Sequence, residues 1–96
     1  MSIDDKIVPY PIDGVLDLHT FQPREIKDLI SEYISVCQER GLLQIRIIHG
    51  KGTGTLRQLV HSLLEKDPRV IDYWQEGGSA GSWGATIVSL KARGRE

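Results

Sequence analysis

Two helix-forming segments, each lying between short strand-forming runs, restrict this chain to very few folds. Between Pro23 and Arg40 the apolar residues fall at offsets of 3, 4, 7, 8 and 11, on one stripe of a helix: Ile26, Leu29, Ile30, Tyr33, Ile34 and Cys37. Pro23 suits the first turn, and Gly41 suits the position just after the last turn. The second stripe consists of Leu56, Leu59, Val60, Leu63 and Leu64. We predict that Thr53 or Thr55 caps this second helix.

Four short runs read as strands: VLDLH, LLQIRIIHG, VIDYWQ and ATIVSLK. Strand–helix–strand crossovers are nearly always right-handed and give parallel strands, so the first three strands should run the same way. The fourth strand follows a hairpin-like loop, EGGSAGSWG, and should run antiparallel. The order β-α-β-α-β-β therefore predicts an α/β fold: a two-layer sandwich whose four-stranded mixed sheet carries both helices on one face. We expect an extended arm over residues 1–12, the domain over residues 13–91 and a short tail over residues 92–96.

Composition narrows the class of protein further. The 96 residues suit a single domain, and hydrophobic and charged contents of 40% and 26% are ordinary for a globular protein. No apolar run approaches the roughly 20 residues of a membrane span, and the first residues lack an apolar signal core. With a single cysteine, the expected location is cytoplasmic. The net charge of −1 gives no support for a nucleic-acid partner, although residues 41–96 hold eight bases and five acids.

A glycine loop follows the second strand. The carboxyl ends of the parallel strands meet at one sheet edge, where open α/β sheets bind ligands. At this edge the stretch IRIIHGKGTGTLR places Gly50, Gly52 and Gly54 around Lys51, with Arg57 three residues after Gly54. Backbone amides at a helix start and two cations favour an anion. The spacing matches neither a Walker A loop nor a dinucleotide fingerprint, so a phosphate site and a simple tight turn both stay open.

Asp17 and His19 alternate with apolar residues along the first strand and should point from the uncovered face of the sheet. An Asp beside a His can orient it as a general base or acid. An exposed polar strand face is the other interpretation. His49 has the parity of the helix-facing residues of its strand, so only a twist at the strand end would bring it to His19. A metal site built from these three residues lacks the support of HExxH or paired CxxC spacing.

Three other residues have simpler interpretations. His61 lies one position off the apolar stripe of the second helix and should be solvated, and Cys37 lies on the first stripe and should be in the core. Trp83, in the loop before the fourth strand, either stacks on a nucleobase or plugs the end of the sheet.

The blocks LDLH, IIHGKGTGTLR and GSWGATIVSL together resemble the Smr, or small MutS-related, domain family from about Asp13 to Lys91. The resemblance implies the two-layer fold shared with the C-terminal domain of translation initiation factor three. It also implies nucleic-acid binding and, in active members, endonucleolytic cleavage or nicking. Some members act on messenger RNA at stalled or collided ribosomes, and others are fused to a MutS-like ATPase.

The family's D-x-H motif maps onto Asp17 and His19, and its H-G-x-G motif maps onto residues 49–52. Thr20 replaces the glycine that commonly follows the first histidine, which bears on the geometry of the adjoining loop.

These observations lead to a hypothesis of an endonuclease that cleaves or nicks phosphodiester bonds, with RNA favoured over DNA. His19, oriented by Asp17, would be the general base, and His49 would carry the second proton. The proposed nucleic-acid contacts are Gly50, Lys51, Gly52, Gly54, Arg57 and Trp83. No cofactor is needed on RNA, whereas on DNA activated water would be required and Mg²⁺ or Mn²⁺ is expected. The alternatives are a non-catalytic module that binds nucleic acid or the ribosome, and a partner domain of a MutS-like protein.

Overall fold

The six predicted elements are present in the predicted order. A computed structural model describes residues 12–50, 54–75 and 84–93. The elements are β1 (Val15–Asp17), α1 (Pro23–Glu39), β2 (Gln44–Ile48), α2 (Thr55–Glu65), β3 (Val70–Gln75) and β4 (Ala85–Leu90). The predicted arm lies outside the described residues except for Ile12, which packs against the core, and the predicted tail is described only as far as residue 93.

The strands form one mixed sheet in the order β1-β2-β4-β3. β1 pairs with β2 in parallel, and β4 is antiparallel to both β2 and β3. The first three strands therefore run in the same direction, as the crossover rule predicts. Sequence reasoning did not place β4 between β2 and β3.

Both helices cover one face of this sheet. Every residue of the predicted α1 stripe is buried, and Val36 joins them. Inward residues of the sheet, such as Leu16, Ile47 and Val88, share the core with Val60 and Leu64 of α2. Outward residues, such as Val15 and Trp74, are exposed. This alternation shows that the second face of the sheet is uncovered.

The start of the second helix contradicts one predicted helix cap. α1 begins at Pro23 and ends at Glu39, one residue earlier than predicted, and Gly41 follows with φ 76°. Thr55 is the first residue of α2, whose N-cap is Gly54 with φ 92°. The prediction of Thr55 as the cap is therefore wrong, because the chain needs a left-handed residue at this point and glycine adopts that conformation at the least cost. Thr53, the other predicted cap, lies outside the described residues.

A buried hydrogen bond ties α1 to the start of β1. The amide of Gly14 donates to the Tyr33 hydroxyl at 3.0 Å, and burial raises the pKa of Tyr33 to about 12. One turn further along α1, Cys37 is buried as predicted, and burial raises the pKa of its thiol to about 11. The neutral phenol can thus hold the strand that carries Asp17. In the described parts of the chain, no helix is long and apolar enough to cross a membrane.

Candidate active site

Asp17 and His19 form a hydrogen-bonded pair at the end of β1. The Oδ1 atom of Asp17 accepts from the His19 amide at 3.0 Å and lies 2.8 Å from His19 Nδ1. Both side chains are accessible, with 45% of Asp17 and 74% of His19 exposed. The hydrogen bonds from the His19 amide and ring lower the pKa of Asp17. Because an ionised carboxylate only accepts, Nδ1 carries the proton of a neutral His19 ring and Nε2 carries the lone pair.

The turn after this pair accommodates Thr20 without backbone strain. The Phe21 amide donates to the Leu18 carbonyl at 3.0 Å and closes the turn. Among the described residues only glycines have positive φ, so Thr20 adopts ordinary backbone angles. Thr20, which departs from the family pattern, therefore requires no strained backbone in the loop beside His19.

His49 follows β2 on the opposite, helix-covered side of the sheet. It is buried, as its parity predicts, with 7% exposed. Its Nε2 lies 2.9 Å from Thr86 Oγ1, and its Nδ1 lies 3.2 Å from the Gly50 carbonyl oxygen. Burial is the main cause that lowers the pKa of His49, and the positive charge of Arg57 adds to it. His49 is thus hydrogen-bonded to the start of the glycine loop through Gly50 and to β4 through Thr86.

His61 corrects a prediction. It is partly buried, whereas its place beside the α2 stripe predicts a solvated ring, and its Nε2 lies 2.9 Å from Thr86 Oγ1. Its ring also packs against Tyr73, with centroids 4.9 Å apart. Burial is the main cause that lowers the pKa of His61, and repulsion from positive charge on His49 and Arg57 lowers it further. The error arose because a residue just off the core stripe still faces a neighbouring strand.

Thr86, which the sequence analysis did not single out, is a buried polar residue between these two histidines. The alternation of ATIVSL gives a signal that could have found it. In that run Thr86 shares the inward face with Val88 and Leu90. A hydroxyl on an apolar face needs a hydrogen-bond partner, and two histidines supply it.

A groove opens beside the glycine loop, with a volume of about 280 Å³. Its apolar lining residues include Phe21, Leu56 and Leu59, and His49, Gly50, Gly54 and Arg57 also line it. Gly50 and Gly54 have φ of 84° and 92°. A Cβ built on Gly54 would lie 3.4 Å from Arg57 Nη2, which places the guanidinium across this glycine.

The structure thus brings together four of the nine predicted site residues around one groove: His49, Gly50, Gly54 and Arg57. It places Asp17 and His19 at the end of the neighbouring strand β1. Lys51, Gly52 and Trp83 lie outside the described residues. Within the three described stretches, no group of three or more His, Cys, Asp or Glu residues could hold a metal ion.

The chain folds into a small α/β domain with sheet order β1-β2-β4-β3 and two helices on one face. Its polar site lies at the sheet edge, where β1 ends in the D-x-H pair and β2 ends in the H-G pair. A family model described as the Smr domain matches residues 16–91. The chain belongs to the Smr domain family.

Relatives in sequence are proteins named Endonuclease MutS2. The chain is 39% identical over 85 residues to the one from Halothermothrix orenii, covering 84% of this chain and 10% of that protein. It is 40% identical over 80 residues to the one from Leuconostoc mesenteroides, covering 83% of this chain and 10% of that protein. The chain therefore spans about a tenth of the length of the curated relatives it matches.

Two solved structures share the fold. The crystal structure of the Smr domain of Thermus thermophilus MutS2 matches with a TM-score of 0.73 and 31% identity, covering 81% of this chain and 98% of that one. The crystal structure of YdaL, a stand-alone small MutS-related protein from Escherichia coli, matches with a TM-score of 0.73 and 27% identity. It covers 85% of this chain and 67% of that one. The predicted fold class and family resemblance are both confirmed.

Proposed function

We propose that this Smr domain binds nucleic acid and cleaves phosphodiester bonds as an endonuclease, with RNA favoured over DNA. The observation that carries the proposal is the Asp17–His19 pair. It presents a histidine whose Nδ1 is held by a carboxylate at 2.8 Å and whose ring is largely exposed. A base oriented in this way, with its lone pair on Nε2, is suited to take a proton from a bound hydroxyl. The MutS2 relatives bear the name endonuclease, which agrees with this chemistry.

The glycine loop supports a neighbouring phosphate contact. Gly50 and Gly54 contribute no side chain to the groove, and Arg57 supplies a cation beside Gly54. Glycines allow a phosphate to approach the backbone closely, and the start of α2 favours an anion. We propose that Lys51, Gly52 and Trp83 complete the contact with nucleic acid.

RNA is favoured because the pair needs only a substrate hydroxyl to act on. His19 Nε2 would take the proton of the 2′-hydroxyl, the 2′-oxygen would attack phosphorus, and the bond from phosphorus to the 5′-oxygen would break. The leaving 5′-oxygen takes up a proton, and a cyclic phosphate remains. Arg57 would stabilise the negative charge that builds on the phosphate oxygens.

His49 is proposed as the second proton carrier, and its surroundings set a condition on that role. Its Nδ1 and Nε2 already contact the Gly50 carbonyl and the Thr86 hydroxyl. To protonate the leaving oxygen, His49 would have to carry protons on both ring nitrogens, because a neutral ring that gave up its Nδ1 proton would become an imidazolate. It would also have to open its bond to Gly50, which is the exposed end of this arrangement. The same bond lets His49 shape the loop, and variants can separate the two roles.

Cleavage of matched labelled RNA and DNA oligonucleotides, with and without chelator, tests the proposal. We expect RNA products with cyclic phosphate ends that form despite chelator. An RNA with a single 2′-deoxynucleotide at the cleaved position should resist, because it lacks the nucleophile. His19→Ala should cleave RNA about 10²–10⁴-fold more slowly than the parent. Complete sensitivity to chelator, or cleavage of the deoxy-substituted RNA at the parent rate, would overturn the mechanism.

A non-catalytic binding module is the second candidate, and one observation favours it. Both ring nitrogens of His49 have hydrogen-bond partners within the fold, which leaves His19 as the one family histidine that faces solvent. In that case His19→Ala would bind RNA and sediment with ribosomes like the parent, and no preparation would cleave. Arg57→Ala would weaken binding and reduce its salt dependence by about one phosphate contact.

A further inference from the structure

The hydroxyl of Thr86 lies between two histidine rings. Its Oγ1 is 2.9 Å from His49 Nε2 and 2.9 Å from His61 Nε2. The two rings are nearly perpendicular, at 85°, with centroids 6.2 Å apart. Thr86 is fully buried. A hydroxyl has a single hydrogen and can donate to only one of the two nitrogens, so at least one of them must donate to Thr86.

The hydrogen bond between His49 and the Gly50 carbonyl decides which group donates at each step from His61 to Gly50. The Gly50 carbonyl can only accept, so the Nδ1 atom 3.2 Å away must carry a proton. Burial lowers the pKa of His49 from its ordinary value of 6.5, so at a pH above 6.5 the ring is neutral and its Nε2 carries a lone pair. The single hydrogen of Thr86 is then donated to His49, and the Thr86 oxygen accepts from the Nε2–H of His61. The chain of donors runs from His61 through Thr86 and His49 to Gly50.

We infer that Thr86 and His61 are positioning residues that hold His49 in its Nδ1–H tautomer and aim that hydrogen at the Gly50 carbonyl. The chain links α2, β4 and the end of β2, and it ends at a left-handed glycine in the groove, with φ 84°. A second contact holds the far end, because the ring of His61 packs on Tyr73 and the Tyr73 hydroxyl donates to Glu65 at 2.6 Å.

The hydrogen-bond chain exists whether or not the domain cleaves nucleic acid. Its consequence for cleavage rests on the proposed function: it would keep the Gly50 backbone in the conformation that receives a phosphate. Loss of the chain should therefore raise KM more than it lowers kcat. A tautomer measurement needs no substrate, so its failure can be told apart from failure of the nuclease assay.

Nitrogen NMR of the histidine rings tests the inference directly. At about pH 8, above the ordinary histidine pKa, the parent protein should show His49 protonated on Nδ1 and His61 protonated on Nε2. The opposite assignment at either ring would overturn the inference. The parent spectrum is decisive by itself, so the test does not depend on whether any variant folds.

Thr86→Val and Thr86→Ser form a matched pair, since valine keeps the shape and serine keeps the hydroxyl. Thr86→Val should lower the ratio of the Nδ1–H to the Nε2–H tautomer of His49 about fivefold, the effect of one hydrogen bond of average strength. Thr86→Ser should leave the ratio near the parent value. A ratio that stays at the parent value in Thr86→Val would show that Gly50 alone sets the tautomer, and would overturn the role of Thr86.

His61→Leu and His61→Gln test the start of the chain. Leucine removes the donor to Thr86, whereas the glutamine side-chain amide can replace an Nε2–H. His61→Leu should shift the His49 nitrogen resonances in the same direction as Thr86→Val, but by less, because the bond from Thr86 to His49 remains. His61→Gln should restore them. Parent-like His49 resonances in His61→Leu would remove His61 from the chain.

Discussion

One carboxylate oxygen of Asp17 accepts both the backbone amide and the ring Nδ1 of His19. The two residues are separated by a single position, so the pair is organised by the local chain and needs no distant element to align it. What the fold supplies is the location, since β1 ends beside β2 and the glycine loop. The short D-x-H motif is therefore sufficient to orient the proposed base, His19.

Asp17→Asn should preserve the position of His19 but weaken it as a base. An asparagine oxygen can still accept both hydrogen bonds, yet it cannot stabilise the positive ring that forms on proton uptake. We expect cleavage to fall about tenfold, against a loss of about 10²–10⁴-fold for His19→Ala. Asp72→Asn is the matched control, because Asp72 is another exposed carboxylate that accepts a backbone amide. Equal rates for the two asparagine variants would contradict the role of Asp17.

His49→Asn and His49→Ala separate the two roles of His49. The asparagine side-chain NH₂ can replace Nδ1–H and keep the bond to the Gly50 carbonyl, but it cannot transfer a proton. If His49 carries the second proton, both variants should lose about 10²-fold or more in kcat. If it only shapes the loop, His49→Asn should retain most of the activity that His49→Ala loses. Rates on an RNA with an activated leaving group, which needs no protonation, provide the check.

Gly50→Ala should impair nucleic-acid binding beyond its cost in stability. A Cβ at Gly50 meets no atom within 4 Å, so the cost comes from the left-handed backbone and amounts to about 1–2 kcal/mol. Gly41→Ala is a close control, because Gly41 has φ 76° and the same open surroundings at the end of α1. Chemical denaturation should show similar losses for both variants, whereas only Gly50→Ala should weaken binding. Equal binding would reduce this glycine to a simple turn.

The free energy of unfolding should decrease when the pH falls below the ordinary histidine pKa of 6.5. The folded pKa values of His49 and His61 are lowered, chiefly by burial. The unfolded chain therefore binds protons first, and stability is lost from about pH 6.5 down to those lower folded values. Urea titrations at several pH values measure the slope. His61→Gln should make it shallower, and an unchanged slope would assign the effect to other groups.

Asp67 and Arg69 should account for part of the stability that is lost in acid. Asp67 accepts hydrogen bonds from the Arg69 amide, Nε and Nη2, and is 13% exposed. The hydrogen bond from the Arg69 side chain lowers the Asp67 pKa below 3.8. The stability that this pair contributes is complete at a pH above the ordinary aspartate pKa of 3.8, and it is lost as the pH falls through the lowered pKa of Asp67.

Asp67→Asn should accordingly destabilise the domain by about 1–3 kcal/mol at neutral pH, and by less in acid. Glu39→Gln removes an exposed ion pair with Arg93, at 3.7 Å, and should cost at most about 1 kcal/mol. Thermal melts at pH 7 and at pH 3 distinguish the two. A constant difference between Asp67→Asn and the parent across this range would contradict the assignment.

The fold was predictable from periodicity and from the crossover rule, because both depend only on local sequence and chain handedness. The burial of the α1 stripe follows from its spacing, and the contact of Asp17 with His19 from their separation. Strand order is different, since nothing local states that β4 inserts between β2 and β3. Without that order, the inward face of α2 could not be matched to Thr86, and His61 was wrongly placed in solvent.

The place of β4 has a consequence for how the domain forms. β4 is the last strand in the chain but a central strand of the sheet, where it pairs with β2 on one side and with β3 on the other. Until it docks, these two strands expose unsatisfied backbone donors and acceptors, and the loop that must close is long. The same strand delivers the Thr86 hydroxyl to His49, 37 residues earlier in the chain. A chain in which β4 has not docked therefore lacks the pairing of β2 and β3 with β4 and the contact of Thr86 with His49. Any nuclease activity that depends on His49 would arise only after β4 has docked.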